Sequence, residues 1–117
     1  MTPLGGDLNS SWNNLIKNKS GASLITKFDT DQYQAKVACE VPISNEHKSD
    51  EGFFNPNNWF SDKDLRKVDD FIIFGVAAAE MAILDSSLFK SKIDPFRVGV
   101  GVGSGVGGLP SLSLIHI

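Results

Sequence analysis

The sequence contains a single cysteine, Cys39, so no disulfide can form within the chain. A lone cysteine is typical of a protein from a reducing compartment, and we expect a cytoplasmic location. No apolar run approaches the roughly 20 residues that a membrane-spanning helix needs. The chain also does not open on a basic segment followed by an apolar one, as a signal peptide does. These features predict a soluble protein without a membrane partner.

The chain has little excess charge of either sign. Eleven basic residues against fourteen acidic ones give a net charge of −3, which disfavours nucleic acid as a partner. The carboxylates of Asp29, Asp31 and Glu40 lack metal-ligand spacing, so no metal site is expected. With 41% hydrophobic and 21% charged residues, the 117-residue chain has the composition and length of one ordinary globular domain.

The first half of the chain predicts one helix and one strand. Asp7 is a favourable N-cap, and the apolar residues that follow it at helical spacing predict a helix over about 7–18. That apolar face consists of Leu8, Trp12, Leu15 and Ile16. A turn is expected at 29–31, a short strand over 36–41, and a surface loop over 42–58, where Asn, Ser, Gly and Pro accumulate.

The second half predicts a long helix and then a strand. Ser61, with Asp64 three residues later, is a variant capping box, and it predicts the start of one continuous helix from Ser61 to Leu84 with an apolar face. That face comprises Leu65, Val68, Ile72, Val76, Ala79 and Ile83. The helix is so apolar that we expect it to be buried on more than one side. Residues 97–102, with alternating valines and glycines, predict a strand, and the order of elements indicates an α/β architecture.

Glycines follow this predicted strand in the pattern G-x-G-x-x-G, formed by Gly103, Gly105 and Gly108. One interpretation is a dinucleotide site, although the motif alone is weak evidence. A second is close packing of the backbone against a neighbouring element. A phosphate-binding P-loop is excluded because no Lys-Ser or Lys-Thr pair follows.

Several stretches resemble one family in order and spacing, the thiolase-like β-ketoacyl-acyl carrier protein synthases. Together they cover nearly all of residues 2–110, and the glycine-rich stretch is the most specific of them. The matching segments are Thr2-Pro3-Leu4-Gly5, Ser11-Trp12-Asn13-Asn14-Leu15, Lys19-Ser20-Gly21-Ala22-Ser23-Leu24-Ile25, Phe28-Asp29-Thr30, Asp64-Leu65-Arg66-Lys67-Val68-Asp69 with Phe71-Ile72, Ala77-Ala78-Ala79-Glu80, Leu84-Asp85-Ser86, Asp94-Pro95-Phe96-Arg97-Val98-Gly99 and Gly103-Ser104-Gly105-Val106-Gly107-Gly108-Leu109.

This resemblance implies a fold and a domain assignment. We expect an α/β structure that is a partial N-terminal half of a thiolase-like fold. It would lack the first strand and all elements after the glycine-rich turn. Residues 1–110 are then a partial β-ketoacyl synthase N-terminal domain, and residues 111–117 are an unmatched tail and a candidate for foreign sequence.

The resemblance also implies an activity. The family elongates fatty acids by decarboxylative Claisen condensation of an acyl thioester with malonyl-acyl carrier protein, works as a homodimer and needs no cofactor. Its nucleophilic cysteine and two histidines have no counterpart in this chain, so Cys39, His47 and His116 are given no catalytic role and the chain alone is expected to be inactive. Cys39 is interpreted as a small buried hydrophobic residue. The alternatives are a non-catalytic chain-length partner subunit of the same fold and a small dinucleotide-binding module.

Two groups of residues receive binding roles from the resemblance. Gly105, Val106 and Gly107 would border the acyl-chain pocket, with Val106 at the position of a gating aliphatic residue. Lys63, Arg66 and Lys67 would dock the acidic acyl carrier protein. Without the resemblance, the same basic residues are better explained as a solvated face in which Arg66 pairs with Asp62 and Asp70 at i,i+4 spacing.

One position departs from the family in a way that bears on stability. Ser87 stands where relatives have glycine after the long helix. A serine there costs about 1 kcal/mol if the backbone keeps a left-handed conformation.

Overall fold

A computed structural model describes residues 1–44, 52–90 and 92–108 of the chain. The chain divides into two compact units, Met1–Pro56 and Asn57–Ile117, and each is described by itself. His47 and His116, the tail 111–117 and much of the predicted loop 42–58 lie outside the described residues.

The first unit opens with helix α1, Leu8–Ile16. Asp7 is its N-cap, as predicted: Asp7 Oδ1 accepts from the Ser10 amide at 2.7 Å, and Ser10 Oγ accepts from the Asp7 amide at 3.3 Å. The helix ends two residues before the predicted limit because Asn18 has φ 53°, a left-handed conformation that asparagine tolerates. The amides of Asn18 and Lys19 then close a Schellman motif on the carbonyls of Leu15 and Asn14.

A small antiparallel sheet follows, made of β1, Ser23–Leu24, and β2, Val37–Ala38. Ser23 pairs with Ala38 and Leu24 with Val37. The strand predicted over 36–41 is therefore present in shortened form, whereas β1 was not predicted. The predicted turn is confirmed, since the Asp29 carboxylate accepts from the amide of Asp31 at 3.0 Å.

The buried centre of the first unit surrounds Phe54, which is 2% exposed. A parallel β-bridge joins Phe54 to Ile43, and the Phe54 amide donates to the Pro42 carbonyl at 2.7 Å. Gly6 lies directly against this segment, and its amide donates to the Gly52 carbonyl at 2.8 Å. Backbone hydrogen bonds and close backbone contact therefore join these segments around the buried Phe54 side chain.

The second unit contains two helices where one was predicted. A 3₁₀ turn at Pro56–Asn58 leads to α2, Asp62–Leu65, and then to α3, Asp70–Asp85. Ser61 caps α2 as predicted, accepting from the Asp64 amide at 3.3 Å. The prediction of one continuous helix from Ser61 to Leu84 is wrong because Asp69, with φ −79° and ψ 159°, is extended and is the N-cap of a new helix.

Helix α3 is less buried than its composition predicted. Ile73 and Ala77, one turn apart, form a narrow buried strip, whereas Phe71, Val76 and Leu84 are exposed. The expectation of burial on more than one side is wrong because no other described element covers those faces. Among the described residues, no helix is long and apolar enough to cross a membrane.

The segment after α3 differs from the prediction as well. Short 3₁₀ turns occupy Leu88–Lys90 and Pro95–Arg97, and residues 98–108 belong to no sheet in the described part of the chain. The strand predicted over 97–102 is therefore wrong. A strand requires a neighbour that forms backbone hydrogen bonds with it, and none of the described segments pairs with residues 98–102 in this way.

The end of α3 leads to a testable prediction. Ser87 follows the C-cap with φ 52°, so it adopts the left-handed conformation in which a side chain is unfavourable. We expect Ser87→Gly to raise the free energy of unfolding by about 1 kcal/mol, measured by urea denaturation. Ser86→Gly is the matched control: Ser86 has φ −66° and ψ −13°, so added freedom should lower stability. Equal effects of the two changes would contradict the prediction.

Candidate functional site

A groove of about 460 Å³ lies where the glycine-rich segment passes the start of α3. One wall is formed by Val68–Phe71, and the other by Val106–Gly108. Both walls belong to the second unit. The helix break at Asp69 shapes the groove, because the α2–α3 junction brings four consecutive residues to its wall.

The two walls touch where the glycine-rich segment has no side chains. A Cβ on Gly107 would lie 2.7 Å from the Cγ and Cδ1 atoms of Phe71, so the aromatic ring rests directly on the Gly107 backbone. A Cβ on Gly108 would lie 2.5 Å from Asp69 Oδ2, and Gly108 has φ +70°. Glycine is thus favoured at 107 by the closeness of the Phe71 ring and at 108 by the positive φ of the backbone.

The structure brings together two of the three residues predicted to border the acyl pocket. Val106 and Gly107 line the groove, and Val106 is 75% exposed, so its side chain is accessible to a ligand. Gly105 is not among the lining residues, and a Cβ there would meet nothing within 4 Å.

Phe71 and Asp69 were not predicted as part of this site. Their sequence signal is modest: Asp69-Asp70 directly before an apolar run is an N-cap pattern that could have placed a helix start here. The contact of Phe71 with Gly107 joins positions 36 residues apart, and no local pattern reports such a pairing.

The acidic character of the groove disfavours the dinucleotide interpretation. The Asp69 carboxylate lies against Gly108, the last glycine of the motif, and Asp70 also lines the groove. A pyrophosphate placed on this turn would meet negative charge at short range, which raises its free energy of binding.

The predicted docking residues lie together on and just after α2. Lys63 is within the helix, Arg66 is its C-cap and Lys67 follows, and all three are exposed. None of the three forms an ion pair with another residue in the described part of the chain. Asp62 instead accepts a hydrogen bond from the Asn57 side chain at 3.0 Å, and Arg66 and Asp70 belong to different helices, Arg66 as the C-cap of α2 and Asp70 as the first residue of α3. The exposed cations are therefore available to a partner.

The interpretation of Cys39 as a buried residue is wrong. The thiol is exposed and borders an open apolar groove of about 490 Å³ in the first unit. It follows directly after β2, and a sheet of two short strands has too little surface to cover it. The described residues contain no group of three His, Cys, Asp or Glu side chains arranged to hold a metal.

Comparison with known proteins defines the class. Residues 1–114 match the family "Beta-ketoacyl synthase, N-terminal domain", and the chain belongs to this family. It is 36% identical over 113 residues to "3-oxoacyl-[acyl-carrier-protein] synthase 2" of Rhizobium meliloti (strain 1021), an alignment covering 96% of this chain and 26% of the relative. It is 30% identical over 116 residues to the protein of the same name from Staphylococcus aureus, covering 99% of this chain and 26% of the relative. The chain thus spans about a quarter of the length of these curated relatives.

Proposed function

We propose that this chain is the N-terminal part of a condensing enzyme that elongates fatty acids, built on one half of a thiolase-like fold. The observation that carries the proposal is the family match over residues 1–114, together with relatives named as 3-oxoacyl-acyl carrier protein synthases. The mixed helices and strands of the described residues are consistent with such a fold.

The proposed reaction is a decarboxylative condensation. Malonyl-acyl carrier protein loses carbon dioxide, and the electron pair of the broken C–C bond forms a carbanion at the thioester's α-carbon. That carbon attacks the carbonyl of an acyl group held as a thioester on an enzyme cysteine. The thiolate leaves, and the product is a 3-oxoacyl-acyl carrier protein longer by two carbons. A cysteine suits this role because its thiolate is both a strong nucleophile and a good leaving group.

The chain's own residues are proposed to bind substrate and partner. Val106 and Gly107 would form part of the wall of the acyl pocket, since an apolar side chain next to a bare backbone offers a smooth surface for an alkyl chain. We assign no catalytic role to Cys39 or to the histidines.

Docking of the acyl carrier protein is proposed on Lys63, Arg66 and Lys67. These cations are exposed and have no ion-pair partner among the described residues, so an acidic partner need not displace an existing contact. The proposed partner at this surface is therefore acyl carrier protein. A second copy of the full-length enzyme is proposed as a further partner from the resemblance to the family alone.

An assay of product formation tests the proposal. The longer protein that contains this chain, given acyl- and malonyl-acyl carrier protein, is expected to release one carbon dioxide for each 3-oxoacyl product formed. The 117-residue chain alone should form none. A folded full-length protein that forms no product would refute the proposal, as would calorimetric binding of a nicotinamide dinucleotide by the chain that is lost in Gly108→Ala.

A further inference from the structure

Phe71 forms an unusually close contact with the glycine-rich segment. Its ring atoms Cγ, Cδ1 and Cδ2 would lie 2.7, 2.7 and 2.9 Å from a Cβ on Gly107. The ring therefore occupies the space that a side chain at 107 would need. It is 40% exposed, so part of its surface also faces the solvent of the groove.

This contact fixes the end of a segment whose earlier glycines lie against no neighbour. Cβ atoms placed on Gly99, Gly101, Gly103 or Gly105 would meet nothing within 4 Å, whereas Gly107 and Gly108 both lie against the start of α3. The backbone is thus held at 107–108 by Phe71 and Asp69, and Val106 is the first side chain before the held residues.

We propose that Phe71 is a positioning residue that sets the depth of the acyl pocket. It acts by holding Gly107, and through it Val106, at a set distance from α3. The inference rests on the proposed function, in which Val106 borders the acyl chain, and it assigns to α3 a part in selecting chain length.

The direction of the effect follows from packing. Phe71→Leu removes ring atoms that lie against Gly107 and that also line the groove. The space between Val106 and the start of α3 therefore grows, because leucine is smaller than phenylalanine. Longer acyl chains gain from that space, since one methylene in an apolar pocket changes kcat/KM by about tenfold or more.

The test measures kcat/KM of the full-length enzyme with a short and a long acyl-acyl carrier protein. For Phe71→Leu, we expect the long-to-short ratio to rise about tenfold over the wild-type ratio. Phe96→Leu is the matched control, because Phe96 is 99% exposed and the same substitution there should leave the ratio unchanged.

A second variant tests the contact from its other side and does not depend on the folding of the first. Gly107→Ala inserts a methyl group against the Phe71 ring, which should displace the partly exposed ring into the groove and lower the long-to-short ratio. Phe71→Ala in the same chain should restore the ratio because it removes the ring. Gly101→Ala, where no neighbour lies within 4 Å, is the control.

The outcomes separate this inference from the proposed function. A wild-type enzyme that condenses neither substrate would refute the proposed function and the inference with it. An active enzyme whose ratio stays within about twofold in Phe71→Leu and in Gly107→Ala, or whose activity falls equally for both substrates, would overturn the inference alone.

Discussion

Gly6→Ala is expected to lower the free energy of unfolding by about 3 kcal/mol, since the added methyl group overpacks a site closed by backbone. A Cβ at this position would overlap the amide nitrogen of Phe54 and the carbonyl carbon of Phe53. Backbone hydrogen bonds hold both segments in place. The Gly6 amide donates to the Gly52 carbonyl at 2.8 Å, and the Phe54 amide donates to the Pro42 carbonyl at 2.7 Å. Neither backbone can move aside without breaking one of these bonds.

Urea denaturation, followed by tryptophan fluorescence, measures this effect. Gly101→Ala is the matched control, since a Cβ there would meet nothing within 4 Å, and its effect should stay within about 0.5 kcal/mol. If the two variants unfolded at the same urea concentration, the close approach of Gly6 to Phe54 would be refuted.

Reversing the three cations of the α2 surface is expected to reduce kcat/KM for acyl carrier protein substrates about 100-fold at low ionic strength. The variant combines Lys63→Glu, Arg66→Glu and Lys67→Glu in the full-length enzyme. In the wild type, electrostatic attraction speeds the encounter with an acidic carrier protein. In the variant, this attraction becomes repulsion. The difference should shrink at 1 M salt, where the Debye length falls to about 3 Å.

Two controls separate docking from general damage. A small acyl thioester without carrier protein should react equally well with the wild type and the variant, because it does not need the α2 surface. A second triple variant, with glutamate replacing the exposed Lys17, Lys90 and Lys92, has the same net charge and should keep its carrier-protein kinetics. Equal losses in the two triple variants would show that net charge, and not the α2 surface, governs association.

Local chemistry predicted the ends of helices well. Asp7 and Ser61 were identified as caps from their side chains alone, and both accept the expected backbone amide. Such caps depend on residues three positions apart, so their energy is encoded locally. The left-handed conformation at Ser87 was anticipated in the same way, as a glycine position occupied by another residue.

The spacing of apolar residues predicted helices and strands less well where contacts with distant segments decide the backbone conformation. The apolar repeat from Leu65 to Ile83 continues across Asp69 without interruption, although the backbone there is extended. The spacing of apolar residues shows which face of a helix is apolar, but it does not show whether the helix is continuous. The valines at 98, 100 and 102 had strand spacing, but a strand forms only beside a partner.

The sequence by itself determined the family, the caps of α1 and α2, and the basic and glycine-rich segments, because each depends on residue types at short spacing. Only the tertiary structure showed the break at Asp69, the exposure of Cys39 and the seating of Phe71 on Gly107. These features arise from contacts between distant segments, whose energy depends on shape and on what else competes for the same space.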